Sequence, residues 1–127
     1  MPLVPKQRVV DKTAAYSVTR MADRSGTLFT NRGASGSVTF TLPTPNISYL
    51  GDRYEFLGVA DQNIVVAGAT AGDVVTFNDA AANSLAASTS GQKIGALIRA
   101  TCIRTADTTY KWLVVGLAVG HTYTVAT

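Results

Sequence analysis

The chain holds very few of the side chains on which most catalysis and metal binding depend. Its 127 residues include one cysteine, Cys102, one histidine, His121, and one glutamate, Glu55. A lone cysteine closes no disulfide within the chain and builds no cysteine-based zinc site. Cys102 lies in an apolar run, which fits a place in the core. Charged residues make up 15% of the composition, against about 25% in an ordinary soluble domain. The surface must therefore be mostly hydroxyls, amides and small side chains, which solvate less strongly than charges and suit partial cover by partner subunits. No apolar run approaches the roughly 18 residues that span a bilayer, and the opening MPLVPKQRVVDK lacks the apolar stretch of an export signal. The reading is of a protein made in a reducing cytoplasm, with no membrane partner.

What charge there is sits unevenly. The net charge is +3, and Lys6, Arg8, Lys12, Arg20, Arg24 and Arg32 crowd the first quarter, opposed there only by Asp11 and Asp23. Pro2 and Pro5 fix backbone dihedrals and remove donors, so residues 1–12 read as an extended basic arm. Residues 13–127 read as a single domain. They form a succession of short strand-like runs near ten residues apart, separated by turn chemistry such as DRSG, PTPN, ADQN, TAGD and STSG. That spacing predicts an all-β fold, an antiparallel β-sandwich or a jelly-roll-like barrel. The stretch TLFTNRGASGSVTFTLP, residues 27–43, reads as two strands joined by a hairpin turn at Gly33 and Gly36. Val38, Phe40 and Leu42 point inward and Ser37, Thr39 and Thr41 point outward. In NDAAANSLAAS, residues 78–88, Asn78 or Asp79 could cap a short helix. The serines and asparagines that compete for backbone bonds favour a loop or short strand there.

Two long runs carry apolar residues on both faces. In QKIGALIRATCIR, Ile94, Ala96, Ile98, Ala100, Cys102 and Arg104 fall on one side, and Lys93, Gly95, Leu97, Arg99, Thr101 and Ile103 on the other. In YKWLVVGL, Tyr110, Trp112, Val114 and Gly116 alternate with Lys111, Leu113, Val115 and Leu117. Burial on two sides exceeds what one small two-layer domain needs, so Leu97, Ile103, Leu113, Val115 and Leu117 are the expected contact with other subunits.

Sites for chemistry are weakly signalled. The glycine-rich turn lacks the Gly-Lys-Ser/Thr of a phosphate loop. Its GASG resembles the loop of a KH RNA-binding domain but joins strands, not helices, and no nucleic acid is expected. No Gly-x-Ser-x-Gly elbow accompanies His121, which follows Gly120 and reads as exposed. Glu55 alternates with Tyr54 and Phe56, so it points outward, where Arg53 or another cation can pair with it. A carboxylate pair would need Asp52 or Asp61 beside Glu55. Asp61, Asp73, Asp79 and Asp107 are not grouped as a calcium loop. Tyr16, Tyr49, Tyr54, Tyr110 and Tyr123 could make a sugar platform but are too dispersed to indicate one. No catalytic residue, metal or cofactor is assigned.

The pieces TLFTNRGASGSVTFTLP, YEFLGVADQNIVVAG, VVTFNDAAANSLAASTSGQKIGALIRATCI and KWLVVGLAVGHTYTVAT resemble a group of small β-rich virion proteins of tailed bacteriophages. The resemblance covers residues 13–127 and rests on structural motifs, so no functional residue transfers from it. It implies a homotrimeric capsid decoration, or cement, protein on the outer surface of the virion head, made in the host bacterial cytoplasm, with the major capsid protein as partner. In that setting the arm, with Pro2, Leu3, Val4, Lys6, Arg8 and Lys12, is the expected capsid contact. The resemblance equally admits a fibre or spike module that binds a host receptor or glycan through turns and tyrosines.

Overall fold

In the computed structural model, which describes residues 6–127, strict alternation of inward apolar and outward polar side chains builds two facing sheets. Pro2, Leu3 and Val4 lie outside the described residues. The strands are β1 (Val9–Asp11), β2 (Tyr16–Ser17), β3 (Leu28–Thr30), β4 (Val38–Leu42), β5 (Arg53–Leu57) and β6 (Ile64–Gly68). They continue with β7 (Val74–Thr76), β8 (Asp79–Ala82), β9 (Ser84–Ala87), β10 (Leu97–Ala106), β11 (Thr109–Gly116) and β12 (Thr124–Ala126). A single 3-10 turn spans Ile47–Tyr49, where the Asn46 side chain accepts from the Ser48 amide. The seven-stranded sheet runs β1-β3-β5-β10-β11-β7-β8 and the five-stranded sheet β12-β9-β6-β4-β2.

The sandwich matches the sequence reading, but its sheets are mixed rather than antiparallel throughout. From β1 to β7 the chain changes sheet at every strand. From β1 to β6 each strand therefore meets, in its own sheet, a strand two elements away, running the same way. β1, β3 and β5 pair in parallel on one side, and β2, β4 and β6 on the other. The first half is thus a coil of three windings around the core. The second half closes it with antiparallel pairs, β10 against both β5 and β11, and β9 against β6 and β12.

This winding corrects the reading of the glycine-rich stretch. Residues 31–37 do not turn a hairpin. They carry the chain from β3 in one sheet to β4 in the other, so that Phe29 and Phe40 meet across the core with tilted rings, centroids 5.4 Å apart. The alternation in β4 is as expected, with Val38, Phe40 and Leu42 fully buried. Residues 78–88 form two strands. β7 turns into β8 through Phe77 and Asn78, both in left-handed backbone, the conformation a two-residue hairpin turn demands. Ile94 is exposed rather than on the core face, because Gly95, at φ +86°, breaks the run before β10 begins.

Inward rows cross both sheets. In one sheet Phe29, Phe56 and Ile98 lie side by side, then Tyr54, Ala100 and Val114, then Cys102, Trp112 and Val74. In the other, Tyr16, Phe40, Val66, Leu85 and Val125 align. The Trp112 indole donates to the Pro43 carbonyl at 2.8 Å, which satisfies its one polar atom in an apolar setting. Gly116 ends its row without a side chain, and the Tyr123 ring takes that space, at 2.3 Å from where a Cβ would stand. Cys102 is buried, and burial pushes its thiol up to about 11, so it is a core residue held protonated at neutral pH.

Candidate functional site

Two surfaces stand out, and both belong to the seven-stranded sheet. The first is its outer face. Opposite the core rows, register brings Leu57, Leu97 and Leu117 together, with Val115 in the next row and Leu113 beside Val75 in the row after that. Ile103 lies opposite Lys111, diagonal to Leu113. The five residues expected to contact other subunits therefore share one face, four of them in a continuous group and Ile103 at its margin. All are half-buried within the single chain except Leu117, which is exposed. The outer face of the other sheet is different in kind, with rows of Ser17, Thr41, Ala67 and Ser84, then Thr39, Val65 and Ala86. Hydroxyls and small side chains suit contact with water; the aliphatic cluster suits cover.

One ion pair crosses the aliphatic face. Arg99 donates to Glu55 at 3.1 Å, and Gln7 donates to the other carboxylate oxygen at 2.7 Å. The Gln7 hydrogen bond is the main reason that the Glu55 carboxyl lies below its ordinary value of 4.5; partial burial opposes it and Arg99 reinforces it. Glu55 points outward as expected, but a carboxyl held ionised is the reverse of what a general acid needs. Asp52 pairs with Arg20 at 3.5 Å, so each carboxylate answers to its own arginine. His121 is half-buried rather than exposed, and its buried Nδ1 has no partner.

The second surface is the electropositive end, where the first winding begins. Residues 9–11, expected as free arm, add a parallel edge strand to β3. Arg8 bonds the buried Asp23 at 3.3 Å and the Ala22 carbonyl at 3.1 Å. The same carboxylate accepts from the Tyr16 hydroxyl at 2.7 Å and the Thr19 amide at 3.2 Å, while Tyr54 donates to the Asp23 carbonyl at 2.8 Å. The Lys12 ammonium sits 3.8 Å above the Tyr16 ring. Two of the three cations assigned to the capsid contact thus have partners inside the chain, whereas Lys6 is exposed.

Lys6 and Arg8 line, with Gln7, Arg24, Ser25, Gly26, Arg53 and Glu55, an open recess of about 470 Å³. A second recess of about 420 Å³ adjoins it, lined by Arg8, Arg20, Met21, Ala22 and Arg24. Arg53 is the member that sequence reading missed. It lies far along the chain from the basic first quarter, and only the parallel pairing of Leu28 with Glu55 brings it there. The tyrosines make no common platform: Tyr54 is buried, Tyr49 packs on Trp112, and Tyr123 covers Gly116.

Acid should loosen this end first. The Asp11 carboxyl is lowered from 3.8 by the Thr30 hydroxyl and then by Arg32, so both it and Glu55 titrate lower in the folded chain than in the unfolded one. Their stabilisation is complete above the ordinary carboxylate values and is lost as pH falls through the depressed ones. Hydrogen exchange, corrected for intrinsic rate, should show protection at β1 and β3 falling between about pH 5 and about pH 2 while β10 stays protected.

No family model, curated protein or solved structure matches the chain. Among the described residues no helix is long and apolar enough to cross a membrane, and no group of His, Cys, Asp and Glu side chains is placed to hold a metal.

Proposed function

We propose that this protein is a structural subunit that works by docking, and specifically a bacteriophage capsid decoration protein acting as a homotrimer on the outside of the head. The observation that carries the reading is the unequal pair of outer faces: hydroxyl-rich on one sheet, and aliphatic around Leu57, Leu97, Leu113, Val115 and Leu117 on the other. The aliphatic face supplies the contact between copies, and the basic end, with the segment that leads into β1, supplies the contact with the shell. A trimer seated across a joint between capsid proteins engages it at several weak points at once. Each bound contact raises the effective concentration of the next, so the assembly holds more firmly than any one contact.

Sedimentation of the purified protein should find a trimer, and Val115→Asp should shift it to monomer with the near-ultraviolet dichroism unchanged, because a charge on the outer face opposes association but leaves the core intact. A wild-type monomer would end the proposal. Counting copies per purified virion separates the head from the fibre: hundreds fit a shell component, a few dozen or fewer a fibre.

A further inference from the structure

The basic recess has more positive charge than the chain itself uses. Arg8 is committed to Asp23, Arg20 to Asp52 and Arg99 to Glu55. Among the described residues, Lys6, Arg24 and Arg53 have no carboxylate within ion-pair distance, yet all three border the same recess. Their positions are built rather than incidental. Gly26 donates its amide to the Arg53 carbonyl at 2.7 Å, and Ser25 accepts from the Arg53 amide at 3.0 Å, so the Arg24–Gly26 loop is fastened to the start of β5. Arg8, anchored by a carboxylate that is almost wholly buried, fixes the third wall. Glu55 also lines the recess but is already engaged by Gln7 and Arg99, so like charges gathered around one recess oppose folding, and an anionic occupant would relieve that.

We propose that this recess and its neighbour across Arg24 form a docking site for an acidic protein segment, whose carboxylates are received by Arg24, Arg53 and Lys6. The chemistry favours carboxylate on a peptide over a nucleic-acid backbone. Arginine forks match carboxylates two bonds at a time, and no aromatic side chain lines either recess to stack a base. Exposed Met21, in the second recess, offers an apolar contact beside the charges. The identity of the partner as a capsid protein rests on the decoration reading; the site itself does not.

The test is fluorescence polarisation with fluorescein-labelled hexaglutamate at low salt. The wild-type chain should bind, and Arg24→Ala with Arg53→Ala should weaken binding roughly tenfold. As a charge-matched control, Lys93→Ala with Arg104→Ala should change it less than about twofold. Arg24 and Arg53 are exposed and contribute only backbone hydrogen bonds to the fold, so the variant should melt with the wild type. Absence of hexaglutamate binding, an equal loss in both double variants, or equal affinity for an oligothymidylate of the same charge would each overturn the proposal. Adding the proteins to purified heads separates the two readings. A chain that binds hexaglutamate but no head sinks the decoration role and leaves the site, whereas full head occupancy by a variant with no hexaglutamate binding does the opposite.

Discussion

Phe29→Ala is expected to lower the unfolding free energy by about 3–5 kcal/mol. The ring is wholly buried and touches aromatics on every side: Phe56 at 5.4 Å and nearly parallel, Phe40 at 5.4 Å, Tyr16 at 5.7 Å and Tyr54 at 6.2 Å. Phe40 and Tyr16 belong to the opposite sheet, so this one side chain spans both layers. Its neighbours are held by two sheets and cannot collapse into the space it leaves, which puts the loss at the upper end for a buried aromatic. Urea unfolding should show a lower midpoint with an unchanged slope. Phe29→Leu should cost less than half as much, and a loss under about 1 kcal/mol for the alanine variant would mean that the layers are joined elsewhere.

Asn31→Asp should be nearly as damaging despite its near-identical shape. Asn31 is fully buried in the crossing between β3 and β4. Its Oδ1 accepts from the amides of Val59 and Ala60 at 2.7 and 2.9 Å, and its Nδ2 donates to the carbonyls of Ala60 and Gln62 at 3.2 and 3.4 Å. One amide side chain thus ties down the loop that carries the chain from β5 to β6. An ionised carboxylate would aim an oxygen at two carbonyls in a place without water, at a cost of about 3 kcal/mol or more at neutral pH. Burial and those carbonyls would raise the pKa of the new aspartate, so protonation as pH falls should restore part of the loss. Melting curves of variant and wild type should therefore lie closer together at about pH 5 than at about pH 8. A constant gap would show that charge is not the cause.

The layer structure was legible because alternation is a local signal. Val38, Phe40 and Leu42 declare the inward face of β4 without reference to any other strand, and Leu97, Leu113 and Val115 declare an apolar outer face in the same way. Strand direction was not legible. A Gly-rich link of seven residues between two alternating runs suits a hairpin as well as a crossing, and the choice depends on Asn31 finding the backbone of residues 59–62. The recess was half legible. The basic first quarter is visible in composition, but Asp23 as the buried anchor of Arg8 and Arg53 as a lining residue depend on contacts 15 or more positions apart along the chain. Arg8 and Lys12 read as free charges because nothing in the local pattern marks Asp23 or the Tyr16 ring as their partners.

The coil of strands that changes layer at each step has a consequence in time. No contiguous stretch of the first half contains two strands that are neighbours both in sequence and in a sheet, so a nascent chain leaving the ribosome gains little from its early segments alone. The long strand β10 must emerge before the seven-stranded layer can be closed, and β9 and β12 before the five-stranded one is complete, and topologies so dependent on distant pairing assemble slowly. Until then the partly synthesised polypeptide carries uncovered strand edges, the condition in which chaperone help and low temperature do most for yield.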